Sequence, residues 1–165
     1  MSESRATELV AELTALGLTV GVAESLTGGL LVAELVSVPG ASAVVRGGVV
    51  AYNTALKHSL LGVDAVLLAA RGAADPDVAA AMADGVRVAC AVGGIPASIG
   101  LSTTGVAGPE PQDGKPVGTV FVGLSTASGT RVFDLTLGGS RNALRRRVVS
   151  ESLVQLKKVL TEIDT

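Results

Sequence analysis

A short apolar run over residues 18–22 breaks off into Ala23-Glu24-Ser25-Leu26-Thr27-Gly28-Gly29, and a helical apolar periodicity follows at once. That junction commits the chain to α/β layering. A strand that stops in small and hydroxylated residues before a helix leaves backbone N–H groups unpaired above the sheet edge, where an anion or oxyanion can take them. Ser25 and Thr27 suit a nucleophile, phosphate ligands or, most simply, helix caps.

The rest of the chain repeats this alternation. Ala6, Leu9, Val10, Leu13 and Leu16 recur at helical spacing ahead of Gly17, which predicts a helix over 3–16. A strand over 18–23 leads to a helix over 27–36, ended by Ser37-Val38-Pro39-Gly40, and a short element starts near Ser42. The apolar stretch 44–52 reads as a strand whose Gly47-Gly48 marks a bulge or a close approach, and 54–61 reads as a helix stopped by Gly62. Asp75 as cap, Pro76 at the first helical position and apolar Val78, Ala81, Met82, Val86 and Val88 predict a helix over 75–92. Strands over 97–102, 119–125 and 130–137 precede a closing helix over 141–160. The loops between these later strands are too short for parallel crossovers. The expected architecture is therefore a three-layer α/β/α domain with a mixed β-sheet.

Composition bounds the function. A chain of 165 residues suits one domain spanning 1–165. Hydrophobic residues make up 48%, yet there are only two Phe, one Tyr and no Trp, so the core is built from Val, Leu and Ala. The net charge of −2 and the lack of a long basic run argue against nucleic acid as a partner. Cys90 stands alone in an Ala/Val context, which reads as core filler in a reducing compartment. Glu3, Arg5, Glu8 and Glu12 break any signal-peptide pattern and no apolar run reaches membrane length, so a cytoplasmic protein with no membrane partner is expected. So apolar a chain is also expected to bury surface between subunits as a homo-oligomer.

Four polar, glycine-rich segments each follow an expected strand: 24–29, 51–57, 102–109 and 138–141. In open α/β sheets such segments converge on a crevice outside the strand ends. One His and one Cys cannot make a zinc site, so neither a metal nor a cofactor is expected. His58 reads as a solvated helix residue, and a Ser-His-Asp triad would rest on it alone. A Ser-Lys pair is simpler. Lys57 follows Tyr52-Asn53 closely, and a buried lysine can be neutral near pH 7 and take a serine proton, although local sequence alone reads Lys57 as an exposed helix lysine. Gly105-Val106-Ala107-Gly108-Pro109 is no Walker loop, but behind Ser102-Thr103-Thr104 it offers hydroxyls and free amides suited to a phosphate or ribose. Arg141 suits a bidentate phosphate clamp, while Arg145, Arg146 and Arg147 read as a solvated face.

Taken in order, Ala23-Glu24-Ser25-Leu26-Thr27-Gly28-Gly29, Gly47-Gly48-Val49-Val50-Ala51-Tyr52-Asn53 with Lys57, Thr104-Gly105-Val106-Ala107-Gly108-Pro109 and Lys115-Pro116-Val117-Gly118-Thr119-Val120 resemble the CinA C-terminal domain family over nearly the whole chain. The resemblance implies a stand-alone, metal-free nicotinamide mononucleotide deamidase working through a serine and a lysine, without an N-terminal molybdopterin-binding-like domain. Carried over by position, it implies Ser25, Ser42, Tyr52 and Lys57 as catalytic residues. Thr27, Gly28, Gly29, Asn53, Thr104, Gly105 and Arg141 become substrate contacts, with oxyanion donors among the amides around Thr27-Gly28 or Gly105. Strand direction favours Ser25 as the nucleophile. Ser42 stays as the alternative, should its loop climb or an adjoining subunit present it. Ser140 replaces a common Asp, Asn53 a frequent Ser, and the 109–115 loop departs from the usual form. The competing reading is a non-catalytic nucleotide-binding or interaction module.

Overall fold

The computed structural model describes residues 4–163. In chain order the elements are α1 (Arg5–Leu16), β1 (Val20–Glu24), α2 (Leu30–Val36), a 3-10 turn (Ala41–Ala43), β2 (Val45–Val50), α3 (Thr54–Leu61), α4 (Ala65–Arg71), α5 (Pro76–Ala89), β3 (Ile99–Gly105), β4 (Thr119–Thr126), β5 (Gly129–Thr136) and α6 (Arg141–Ile163). The strands form one mixed sheet in the order β2-β1-β3-β4-β5. β1 runs parallel to β2 and β3, whereas β4 is antiparallel to β3 and β5. Strands β1, β2, β3 and β5 consequently end at one edge, which brings the four polar segments together.

Side-chain alternation sorts the helices into the two outer layers. Val20, Val22, Ile99, Leu101, Val122 and Leu124 turn to one face and pack under α1, α2 and α6 through Leu9, Leu13, Leu31, Leu35, Leu153 and Leu156. On the other face Ala23 packs with Ala51, just after β2, and with Leu61, Leu68, Val78, Met82 and Val86 from α3, α4 and α5. This is the expected three-layer α/β/α arrangement.

Its small-residue core lets α5 lie unusually close to the sheet. A Cβ on Gly100 would come within 1.9 Å of the Ala83 carbonyl oxygen, and one on Gly123 within 2.5 Å of the Ala79 oxygen. At Gly100 the nearest obstacle is helix backbone, not a movable side chain. Gly100→Ala is expected to destabilise the protein by about 3 kcal/mol, since relief requires moving a helix whose own hydrogen bonds fix its carbonyls. Urea unfolding of the purified variant checks this.

Two expectations are corrected here. The second helix starts at Leu30 rather than residue 27, because Gly28 and Gly29 take positive φ of 60° and 102° and residues 25–29 form a turn. Gly28 N–H donates to the Ser25 oxygen at 3.1 Å and Leu30 N–H to the Thr27 oxygen at 3.1 Å. The other is α4, to which no element was assigned. It is capped by Asp64, whose carboxylate accepts from Val66 N–H at 2.7 Å. Glu3, at the start of the expected first helix, lies outside the described residues; from Arg5 to Gly17 that helix is as expected.

Candidate active site

β1 is flanked by two parallel neighbours reached through helices on opposite faces, α2 toward β2 and α3 to α5 toward β3. A crevice opens at the carboxyl end of a strand so placed. Ser25 sits there, directly after β1, with its N–H donating to the Thr103 oxygen at 3.0 Å and its neighbour Glu24 accepting Ala51 N–H at 2.9 Å through the backbone oxygen. Both parallel neighbours thus hold the turn that presents Ser25.

Ser25 does not cap the helix that follows. The buried Glu24 carboxylate does, accepting from Leu31 N–H at 2.8 Å and Val32 N–H at 3.1 Å. A carboxylate at a helix N-terminus satisfies two orphan donors and meets the positive end of the dipole. Ser25 Oγ is left to another partner. Lys57 Nζ lies 3.0 Å from it and donates to the Ala51 oxygen at 2.7 Å.

Lys57 is 0% exposed, so the reading of it as an exposed helix lysine is corrected. It points inward because Asn53 caps α3 through Ala55 N–H at 2.9 Å, and that start sets residue 57 on the face toward the sheet. Among the described residues no carboxylate forms an ion pair with it. Burial without a counter-charge brings its pKa from 10.5 down to about 8. Near neutral pH an appreciable fraction is therefore a free amine. A neutral amine has a lone pair for the Ser25 proton while still donating to Ala51, so the pair can make an alkoxide-like nucleophile.

A cavity of about 200 Å³ opens over this pair, lined by Ser25 and Leu26, by Tyr52 and Thr54 at the start of α3, by residues 105–108 at the end of β3, and by Ala73. Glu110, Gln112 and Arg141, all exposed, complete its rim. Larger hollows of about 460 and 470 Å³ lie at the opposite edge around Thr126 and Ile163, but neither sets a hydroxyl against a buried base. Arg141 reaches Gly108 at 2.5 Å through Nη1 and the Tyr52 hydroxyl at 3.0 Å through Nη2. Tyr52 is 60% exposed and belongs to this rim, away from Lys57 Nζ's two partners.

Other expected residues lie elsewhere. The Thr27 and Thr104 hydroxyls face the interior: Thr27 bonds the Thr103 hydroxyl at 2.7 Å and Thr104 donates to the Ala73 oxygen at 2.7 Å. Both are buried, and neither lines the cavity, whereas Gly105 does. Gly28 and Gly29 shape the turn and Asn53 caps α3. Ser42 is exposed on the 3-10 turn before β2, while Ser25 follows β1. With Val20 opposite Val45 and Glu24 opposite Val50, a strand length of about 16 Å separates their two edges. Ser42 and Lys57 of one chain do not meet. His58 is exposed as expected, its ring Nδ1 2.7 Å from the Val63 oxygen.

Arg145 is a further correction. Instead of standing in a solvated face, it is half-buried and donates to the Leu26 oxygen through Nε at 2.7 Å and to the Thr27 oxygen through Nη2 at 3.2 Å. Its position one helical turn beyond Arg141 was the available signal. Ala73, Glu110 and Gln112 were also missed, Ala73 because it follows the unassigned α4.

The model for the CinA C-terminal domain matches residues 2–160. The chain belongs to the CinA C-terminal domain family. It is 50% identical over 142 residues to a CinA-like protein of Frankia casuarinae, covering 86% of this chain and 32% of that protein. It is 46% identical over 155 residues to a CinA-like protein of Anaeromyxobacter, covering 92% and 36%. The chain thus spans about a third of the length of these relatives. Among solved structures, a CinA superfamily protein from Klebsiella pneumoniae superposes with a TM-score of 0.89 at 28% identity, covering 96% of each chain. The competence/damage inducible protein CihA from Agrobacterium tumefaciens gives 0.85 at 32%, covering 98% and 99%. No helix among the described residues is long and apolar enough to cross a membrane.

Proposed function

We propose that this CinA C-terminal domain is an amidohydrolase that converts nicotinamide mononucleotide and water to nicotinate mononucleotide and ammonia, with Ser25 as nucleophile and Lys57 as its base. The contact that carries this reading is the 3.0 Å approach of a fully buried lysine amine to a serine hydroxyl at a strand end, beneath a cavity. The family resemblance supplies the substrate.

In the proposed reaction the Ser25 hydroxyl attacks the carboxamide carbon as neutral Lys57 takes its proton. The tetrahedral intermediate places negative charge on the former carbonyl oxygen. Leu26 and Thr27 N–H groups have no acceptor among the described residues and are the donors nearest in sequence to the nucleophile. Such a donor commonly contributes about 3 kcal/mol to an oxyanion transition state. Lys57, now an ammonium, hands its proton to the amide nitrogen, the C–N bond breaks and ammonia leaves. Water then attacks the acyl-serine ester while Lys57 accepts one of its protons; that proton returns to Ser25 as nicotinate mononucleotide departs.

The rim suits the rest of the substrate. Arg141 is oriented by Gly108 and Tyr52, leaving its other N–H donors for a phosphate, which contributes orientation rather than bond chemistry. Purified protein is expected to release ammonia and nicotinate mononucleotide from nicotinamide mononucleotide in equal amounts, followed by coupled ammonia assay and chromatography. A folded protein that releases neither overturns the reading and favours a binding module.

A further inference from the structure

Arg145 has no place in the reaction as written, yet it is tied to the turn that carries the nucleophile. Its guanidinium grips two successive peptide oxygens, Leu26 at 2.7 Å and Thr27 at 3.2 Å, while Nη1 donates to Asn142 Oδ1 at 3.2 Å. The fit is close. A Cβ on Gly28 would stand 3.2 Å from Arg145 Nη2.

The direction of these bonds fixes the direction of others. In a trans peptide the C=O and the following N–H point opposite ways. With the Leu26 oxygen on the guanidinium, the Thr27 N–H is turned away from it. The Ser25 oxygen accepts from Gly28 N–H at 3.1 Å, which turns the Leu26 N–H away from the inside of the turn. With Gly29 N–H these are the turn amides left without an acceptor among the described residues, and Leu26 and Thr27 are the two that directly follow Ser25, Leu26 lining the cavity beside it.

We propose that Arg145 is a positioning residue: by holding the Leu26 oxygen it aims the Thr27 N–H, and by holding the Thr27 oxygen it keeps the Gly28 N–H on the Ser25 oxygen and so the Leu26 N–H turned outward, both toward the oxyanion that forms on a carbonyl attacked by Ser25. This rests on the reading of Ser25 as an acyl-accepting nucleophile. The fixed positive charge also draws electron density toward the Leu26 oxygen, which makes the N–H of the same peptide a stronger donor. Lysine keeps the charge but cannot span two oxygens with one planar fork, so it restores part of the effect.

The test separates this from the choice of substrate by acylating Ser25 with an activated aryl ester, p-nitrophenyl acetate, and following Ser25-bound acetyl by mass spectrometry. Arg145→Met is expected to slow acylation about 10²-fold, the loss typical of a missing oxyanion donor, and Arg145→Lys about 10-fold. The pH at which acylation is half-maximal stays where Lys57 sets it. Arg146→Met, one residue on and exposed, acylates like wild type. With nicotinamide mononucleotide the loss falls on kcat while KM stays within about threefold. Should Arg145→Met not fold, Arg145→Lys carries the comparison. Equal acylation rates in wild type and variant, or no acylation of wild-type Ser25, overturn the proposal. Acylation without hydrolysis of the mononucleotide overturns the assigned substrate and leaves the role of Arg145 standing.

Discussion

Lys57→Met is expected to cut ammonia release about 10⁴-fold, the upper range for removing a general base, while the protein stays folded. Methionine fills nearly the same volume in a site that is 0% exposed, but it offers no lone pair to the Ser25 proton and no proton to the departing nitrogen. Lys57→Arg fails for a different reason: guanidinium holds its proton throughout the accessible pH range. The wild-type profile checks the assignment. With the Lys57 pKa at about 8, only the deprotonated amine is a base, so kcat/KM rises about tenfold per pH unit below that value and levels off above it. A flat profile from pH 6 to 9 would remove Lys57 from this role.

The same burial has a stability consequence. Lys57 is protonated in the unfolded chain up to pH 10.5 but only up to about 8 when folded, so below pH 8 its ammonium opposes folding by about 3 kcal/mol. Between about 8 and 10.5 the unfolded chain binds the extra proton and stability rises with pH. Lys57→Met lacks this dependence but leaves the Ala51 oxygen without its donor, a loss of about 1–3 kcal/mol. Urea unfolding at pH 7 and 10 should therefore show wild type gaining on the variant as pH increases.

Much of this arrangement was legible in the residues. Periodicity located α1, α3, α5 and α6, and the small-residue junction at 23–29 located the strand end that presents Ser25. What escaped was set by tertiary contact. Lys57 carries no local mark of burial; the Asn53 cap and the sheet beneath α3 turn it inward. Thr104 is surrounded by glycine-loop residues suited to a ligand, yet in β3 its hydroxyl meets the Ala73 oxygen. Ser25 looked able to cap α2, but Glu24 reaches those amides because the intervening glycines fold the turn back over it. Arg145 shares a charged run with Arg146 and Arg147, and only the approach of α6 to the turn distinguishes it.

Ser25→Ala is expected to abolish turnover, about 10⁴-fold or more, because the acyl group then has no oxygen to accept it. Loss of activity alone would not separate an attacking serine from one that orients the amide. A covalent readout does: wild type quenched in acid during turnover should carry the nicotinate mononucleotide acyl mass on the peptide containing residue 25, and Ser25→Ala on none. Ser42→Ala should form and hydrolyse the adduct at the wild-type rate, since within one chain Ser42 lies at the far edge of the sheet, about 16 Å from the lysine's edge. Adduct on Ser42 with Ser25→Ala fully active would mean that the 3-10 turn of a second copy reaches into the cavity. In that event mixing Ser42→Ala with Lys57→Met chains should restore activity in subunits that combine an intact Lys57 with a neighbour's intact Ser42. With Ser25 as nucleophile, mixing Ser25→Ala with Lys57→Met restores none, because both groups must come from the same chain.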